Sequence, residues 1–461
     1  MRTIKRINKH SVVFPSKKGS NKFLQTADCF LRDHPNLLFQ TEPDESRKGV
    51  FLKYDKGLYR EISTFEIEDM LLHYEPEEKD IMVPNKLSDA KLQEIIRHIK
   101  RRRFYYRDVF NSDGIQNFRN GYLNMKTGLL EEHTPDIVST IQLPYDYDPK
   151  ADCPLFKKVI STSLNNNQEQ IQILQEFIGY CLTKSTKYER ALFLIGASGS
   201  GKSTILDGIK YMLGEENFSS VPLDQLSNPQ FTGNIVNKYS NIDTEIPGNI
   251  KDYENDLKKI ITGEPITVNT KFIPTYKATP FCKLIFAAND MPRIGDTSNA
   301  VYRRLLLLKM DNVVKEQDID VNLKYKLRAE AAGIFNWAKH GLDRLEKNEK
   351  FSDSISMQDT LNEQKMINNS VYYFISECFE VTGNHDDYLI KDYLYNSYQK
   401  FCHEVGGKGI FKKIVFGKEL NKIYGNKIKD DIKTLSCKTT RVWTGIKEKK
   451  FEVNDVVTWD E

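Results

Sequence analysis

Apolar residues recur with two different periods along this chain, and the places where the period changes mark its units. Unbroken apolar runs of strand length stand at Ala191–Ile195 (ALFLI), at 284–288 (LIFAA) and at 305–308 (LLLL). Runs of that length suit strands buried on both faces of a parallel sheet. After the first run the spacing becomes helical, with Ile205, Leu206, Ile209, Met212 and Leu213 on one face and Gly214 as the stop. The core so outlined covers 189–345 and closes with NLKYKLRAEAAGIFNWAKHGLDRLEKN, a strongly helical stretch. Ahead of it, 151–188 holds two amphipathic helices, LFKKVISTSL and EQIQILQEFIGYCLTKS. The region 26–150 is short-period and mixed. GVFLKYDKGLYREI predicts a hairpin turning at Asp55, Lys56 and Gly57, STFEIEDMLLHY a capped helix, and NGYLNMKTGLLEEHTPD a second hairpin. Residues 1–25 are polar and predicted to be a loose arm. In 346–461, DYLIKDYLYNSYQKFCHEVGG predicts a helix with Tyr393, Leu394, Tyr398 and Phe401 inward. FGKELNKIY follows as a second helix and RVWTGIKEKKFEV as a hairpin with a Lys-rich turn.

The turn after the first strand adds chemistry to this outline. Gly196-Ala197-Ser198-Gly199-Ser200-Gly201-Lys202-Ser203, followed by Thr204, fits the pattern G-x-x-x-x-G-K-S/T between a strand and a helix. Glycines let consecutive N–H groups point inward, and the helix N-terminus adds positive potential for an anion. Lys202 would reach the β- and γ-phosphates of a nucleotide, and the Ser203 hydroxyl would ligate Mg²⁺. Kinases, transporters, GTPases and helicases share such a loop, so it predicts a nucleoside triphosphate and no particular machine.

A hydrolase also needs a carboxylate for the metal and a group to align water. NKYSNIDTEIPG offers a short strand ending in Asp243 and Glu245, which share a side if the strand stays extended; which serves metal and which serves water is open. KLIFAANDMP ends a buried-strand pattern in Asn289, a neutral amide able to bond a γ-phosphate and water without adding negative charge. SNAVYRRLLLLKM sets Arg303 and Arg304 ahead of another apolar strand, and guanidinium groups stabilise the charge that develops on a transferred phosphoryl.

Taken together, the phosphate loop, the D-x-E strand, the strand-tip Asn and the Arg pair resemble the superfamily 3 helicases, and more narrowly the primase-helicase type of phages, plasmids and poxviruses. The resemblance implies an α/β fold: an AAA+-like phosphate-loop core, a helical and mixed N-terminal region, and a C-terminal winged-helix-like domain. It covers roughly residues 45 to 460. LKKIITGEPITVNTKFIPTYKATPFCKLIFAANDMP matches the family's motif for a hairpin that reaches into a central pore, with Lys271 at the matching place and Lys277 close behind. The implied machine is a ring, expected to be a hexamer, burning ATP with Mg²⁺ and travelling 3′ to 5′ on single-stranded or forked DNA. Lys202, Ser203, Asp243, Glu245 and Asn289 would come from one subunit and Arg303 or Arg304 from the next. A separate primase or replication initiator would be its partner. About 45 residues precede the resembling block, too few for a polymerising primase domain, so priming by this chain is not expected. The D-x-E spacing departs from side-by-side carboxylates and leaves their two roles unassigned.

Charge and cysteine usage refine this picture. A net charge of +3 over 461 residues says nothing by itself about nucleic acid. Between Val405 and Lys450, however, 13 Lys/Arg face 4 Asp/Glu, and Lys412, Lys413, Lys418, Lys422 and Arg441 suit duplex phosphates. IIRHIKRRRFYYR is a second basic stretch, interleaved with aromatics; a solvated helix face is its plainer reading. Seven scattered cysteines without C-x-x-C fit neither a disulfide framework nor a zinc site, and a reducing cytoplasm, that of a bacterial host, fits best. No apolar stretch is long enough to span a bilayer, and the eight histidines show no ligand spacing. Two other classes compete: a nucleotide-switched initiator or loader that assembles on DNA without processive unwinding, and a small-molecule kinase, for which no acceptor or lid pattern is present.

Overall fold

The computed structural model describes residues 21–41, 49–77, 87–106, 110–244, 246, 250–269, 275–292, 294, 300–314, 320, 322–404, 410–435 and 438–449. At the N-terminal end lie α1 (Lys22–Asp33), β1 (Leu37–Thr41), β2 (Gly49–Asp55), β3 (Leu58–Ile62), α2 (Thr64–Leu72), α3 (Asp89–Arg102) and β4 (Phe104–Tyr106). Helix α1 starts inside the segment expected to be loose; residues 1–20 lie outside the described residues. The alternation across 49–62 closes β2 on β3, with Lys56 and Gly57 at positive φ in the turn. Ser63 and Glu66 form a reciprocal capping box at the start of α2. The four strands run in the order β3-β2-β1-β4, and Phe30, Ile95 and Ile99 from α1 and α3 bury Leu37, Phe39 and Phe51.

The next strands, β5 (Ile115–Phe118), β6 (Gly121–Asn124) and β7 (Leu130–Glu131), form an antiparallel ribbon containing the second predicted hairpin. Helices α4 (Pro154–Ser163) and α5 (Gln168–Cys181) then lead into a sheet. Its chain order is β8 (Ala191–Ile195), α6 (Lys202–Leu213), β9 (Phe218–Ser219), α7 (Pro229–Thr232), β10 (Ser240–Asp243) and α8 (Glu254–Thr262). A ribbon of β11 (Ile266–Val268) and β12 (Tyr276–Ala278) follows, then β13 (Lys283–Ala288), β14 (Leu305–Lys309), α9 (Leu323–Ala329) and α10 (Ala331–Asn348). The five sheet strands are all parallel, in the order β14-β8-β13-β10-β9, so every strand tip carrying a candidate site residue faces the same way. One hydrophobic core runs from Phe118 and Leu123 through α4, α5 and the sheet to Met357, crossing the boundaries expected at 150 and 188.

Four interactions lock α4 and α5 to the core. A Cβ on Gly179 would meet the Ala338 carbonyl at 2.3 Å and one on Gly341 the Gln175 carbonyl at 2.3 Å, so α5 and α10 approach backbone to backbone. Glu176, fully buried, accepts from Arg344 Nε at 2.6 Å and from the Ser352 N–H and hydroxyl at 2.8 and 2.6 Å. Glu330 receives the N–H groups of Leu155 and Phe156 at the start of α4, at 3.0 and 2.9 Å. At the opposite end of α5, Lys283 lies 4.5 Å over the Tyr180 ring and donates to the Thr183 and Phe281 carbonyls at 2.7 and 2.8 Å. Burial pulls its ammonium down to about 8.

The C-terminal unit comprises α11 (Ile355–Asn368), α12 (Ser370–Cys378), β15 (Phe379–Val381), β16 (Tyr388–Ile390), α13 (Lys391–Glu404) and α14 (Lys413–Tyr424). It ends with β17 (Lys429–Leu435), β18 (Lys438–Thr444) and β19 (Ile446–Glu448). Leu394 and Tyr398 enter its core as expected, but Tyr393 is exposed and bonds Glu448. Of the hairpin expected in RVWTGIKEKKFEV, residues 450–453 lie outside the described residues, while Lys447 and Glu448 of its expected Lys-rich turn stand in β19. Gly445, at φ +84 and too close to the Lys427 carbonyl for a Cβ, bends β18 into β19, and the two strands pair with different partners. β17 and β18 form an antiparallel hairpin, and β16 flanks β18 in the order β16-β18-β17.

Gly179→Ala is expected to drive α5 from α10 and cost about 2 kcal/mol or more, seen as a lower melting temperature. For Lys283 the unfolded chain holds a proton between about pH 8 and 10.5 that the folded chain has lost. Its contribution to stability therefore rises with pH across that window, by up to ~1.4 kcal/mol per unit. Denaturant unfolding of Lys283→Met against wild type at pH 7.5 and 9.5 should show the variant losing that rise; parallel pH profiles would refute the account.

Candidate functional site

The loop predicted to cradle phosphate leaves β8 at Ile195 and enters α6 at Lys202. Its glycines answer to backbone geometry: Gly199 and Gly201 have φ of +79 and +91, and a Cβ on Gly196 would sit 2.1 Å from the Met310 carbonyl. A side chain at 201 would also collide with the Ser163 hydroxyl of α4, at 2.2 Å. The Gly196 N–H donates to Ala288 and the Val314 N–H to the Gly199 carbonyl, pinning the loop to neighbouring strands. Ala197, Ser198, Gly199 and Ser203 are exposed, Thr204 is half-buried, and the Ser200 side chain turns inward.

Lys202 folds back over this loop. Its Nζ donates to the carbonyls of Gly196 and Ala197, the latter at 2.9 Å, and to Asn289 Oδ1 at 3.2 Å. Asn289 is the first residue beyond β13, so the structure joins two candidates separated by 87 positions. All three acceptors are neutral, and no carboxylate engages the ammonium among the described residues; partial burial lowers its pKa. A cation held only by neutral oxygens loses little on exchanging them for phosphate. The cramped glycines, the exposed N–H-bearing turn and this ammonium fit a triphosphate. Mg²⁺ that arrives with phosphates needs few protein donors, and the Ser203 hydroxyl and Asp243 carboxylate are of the right kind.

Asp243 closes β10 level with Phe286, two residues short of the tip of β13. It is buried and accepts the Leu223 N–H at 3.0 Å, which fastens the turn after β9 to the end of β10. Asn241, two residues earlier, accepts from Ser219 and Val221 and donates to the Val221 carbonyl; this lock between β9 and β10 carried no motif in the sequence. Glu245 lies outside the described residues.

The two arginines part company. Arg304 is buried and gives Glu189 a 2.8 Å ion pair and the Ala300 carbonyl a 2.7 Å hydrogen bond. Arg303 is exposed. Burial and the neighbouring Arg304 and Arg303 hold Arg190 below its usual pKa, and its guanidinium bonds the Tyr188 and Glu189 carbonyls, both at 3.4 Å, while Arg304 takes the Glu189 carboxylate. Leu305 pairs with Ala191, whereas the phosphate loop begins after Ile195. At roughly 3.3 Å per residue, Arg303 stands about 20 Å from the loop of its own chain. The partner Glu189 was invisible in the sequence because it lies 115 positions away.

Strands β11 and β12 form the hairpin expected around Lys271 and Lys277. It is anchored where Thr232 donates to Thr267 and Asn269 to Pro229. Lys277 is exposed; Lys271 lies outside the described residues. In the C-terminal unit Lys412, Lys413, Lys418 and Lys422 are exposed on or beside α14, with Lys413 paired to Asp392, and Arg441 is exposed on β18.

Comparison with known proteins gives a consistent frame. The family described as "D5 N terminal like" matches residues 50–164, that described as "Poxvirus D5 protein-like" matches 367–456, and a "Family of unknown function (DUF5906)" matches 194–304. The matches to the two D5-like families lie on either side of the parallel sheet. Among solved structures, the chain is similar to "The A form apo structure of NrS-1 C terminal region-CTR", with TM-score 0.57, 14% identity and coverage of 92% of this chain and 100% of that one. A second NrS-1 C-terminal region structure matches with TM-score 0.52 and 13% identity over the same shares. These two likenesses speak for the fold. An "Uncharacterized mitochondrial protein ymf21" from Marchantia polymorpha is 22% identical over 124 residues, 24% of this chain and 69% of that protein. Among the described residues no helix is long and apolar enough to cross a membrane.

Arg304→Ala is expected to destabilise the fold by about 2 kcal/mol, by leaving Glu189 and the Ala300 carbonyl without their donor. Arg303→Ala should leave the melting temperature within about 1 °C of wild type, since surface substitutions cost little. Equal effects of the two on thermal unfolding would overturn the division between them.

Proposed function

We propose that the chain is an ATP-driven DNA helicase of superfamily 3 that works as a ring, hexameric by family resemblance, in the replication of a phage, plasmid or related element. The single observation that carries this reading is the hydrogen bond between Lys202 and Asn289 across adjacent parallel strands. It puts a phosphate-binding cation and a neutral amide, a pair suited to a γ-phosphate and its attacking water, at one sheet edge. The strand order β14-β8-β13-β10-β9 supports an AAA+-like core, with β8 carrying the loop, β13 the Asn and β10 the Asp. Three helices followed by the β17–β18 hairpin with β16 alongside support a winged-helix-like C-terminal unit.

In this reading the N–H groups of 197–203 and the Lys202 ammonium would hold the β- and γ-phosphates, while Ser203 and one carboxylate of the Asp243 and Glu245 pair would hold the magnesium. Magnesium neutralises phosphate charge when bound. The other carboxylate of that pair would polarise the attacking water, and Asn289 would align it. Arg303 serves the nucleotide of the next subunit, because its own is about 20 Å away, whereas Arg304 is taken up by Glu189 of its own chain. The hairpin of β11 and β12 carries Lys271 and Lys277 toward a strand in the pore. Their contacts go to phosphates, so binding is salt-dependent and largely blind to sequence. Lys412, Lys413, Lys418, Lys422 and Arg441 grip duplex phosphates.

Strand displacement on a 3′-tailed fork with ATP and Mg²⁺ tests the reading. Wild type should unwind, Lys202→Ala should lose ATPase by about a hundredfold or more, and Lys271→Ala should keep ATPase and lose unwinding. Hydrolysis without displacement on forks of either polarity would replace the motor with a nucleotide-switched initiator or loader.

A further inference from the structure

The N-terminal sheet ends on a strand with an exposed aromatic surface. Among the described residues β4 pairs with β1 on one side only, and its register sets Phe104 beside Phe39 and Tyr106 beside Thr41. Both rings therefore stand on the face that α1 and α3 cover further in. Helix cover stops short of them: Phe104 is 40% and Tyr106 38% exposed, and the rings meet edge to face at 5.6 Å. Tyr105, on the opposite face, packs against the small core of Leu38, Tyr59 and Phe110.

Helix α3 leads into β4 through Arg103 alone, so the cations of its last turn stand close in sequence to these rings. Lys100 Nζ lies 5.1 Å from the centroid of Phe39, the register neighbour of Phe104, and no ion pair engages it among the described residues. Arg101 is exposed and likewise free of an ion pair. Arg97, one turn earlier, is exposed and only loosely shared with Glu94, at 3.5 Å. Arg102 and Arg103 are different in kind: the first is tied to Asp28 at 3.0 Å, the second to the His34 and Pro35 carbonyls.

One ligand class uses both halves of this patch, a polyanion whose flat bases are free to stack. Duplex DNA keeps its bases inside, and a second copy of the chain would oppose the same cations. We propose that Phe104 and Tyr106, with Lys100 and Arg101, form a stacking site for single-stranded DNA on the edge of the N-terminal sheet. The site is separate from the motor's hydrolytic centre and would hold the strand before or after the pore. Its ligand is DNA rather than another single-stranded polynucleotide only by the motor reading, on which it rests in that respect.

The test is fluorescence anisotropy of a labelled oligo(dT) with the full chain and no nucleotide. Replacing Phe104 and Tyr106 together by Ala should weaken binding about tenfold or more. The pair Phe104→Tyr and Tyr106→Phe should keep it, and Arg101→Glu should weaken it and flatten its salt dependence. DNA-independent ATPase should stay at the wild-type level in all three. Unchanged affinity in the double Ala variant would overturn the proposal. So would a loss that merely follows loss of assembly in light scattering, which would make the patch a subunit contact. Failure of the motor reading has a different signature, a wild-type chain that displaces no strand on forks of either polarity whatever its affinity for oligo(dT).

Discussion

The candidate site depends on the burial of one strand. β8 is flanked on both sides, by β14 and β13, and Ala191, Leu192, Phe193 and Leu194 are fully enclosed. A strand with no solvent face cannot slip by one residue without driving all its side chains into their neighbours. Its end at Ile195 is thereby fixed, and with it the start of the glycine loop. The same parallel register sets Ala288 level with Ile195, so Asn289 emerges within reach of Lys202. The polar contact follows from the apolar packing.

Around that strand the chain places rigid supports where the loop is weakest. Glycine loops are conformationally free, which costs entropy on ordering. Here α4 presses the Ser163 hydroxyl against Gly201, and the backbone after β14 holds Gly196 and Gly199. Helix α4 is itself set by Glu330 at the start of α10 and by Phe156 on Gly208 of α6. The helices ahead of the sheet are thus part of the cradle, and one continuous core includes them.

Much of this was legible in the sequence because it is local. Unbroken apolar runs gave the buried strands, helical spacing gave α5, α6 and α10, and the glycine-lysine pattern located the loop. Long-range pairing was not legible. Nothing in RVWTGIKEKKFEV says that the chain bends at Gly445, because the cause is the Lys427 carbonyl across the unit. Nor could Arg303 be told from Arg304, since their difference rests on Glu189. Tyr393 was placed inward by spacing alone, but its hydroxyl finds Glu448 at the surface. Pattern predicts elements well; which polar groups meet is decided by tertiary neighbours.

The central claim is a nucleotide site completed by a neighbouring subunit, and mixing experiments test it most directly. Lys202→Ala and Arg303→Ala chains, each inactive alone, should regain ATPase when co-assembled in equal amounts. Random mixing in a head-to-tail ring pairs an intact loop with an intact arginine at about a quarter of the interfaces. Recovery toward that level is the predicted result. Mixtures that stay inactive, or an Arg303→Ala chain fully active by itself, would contradict the account.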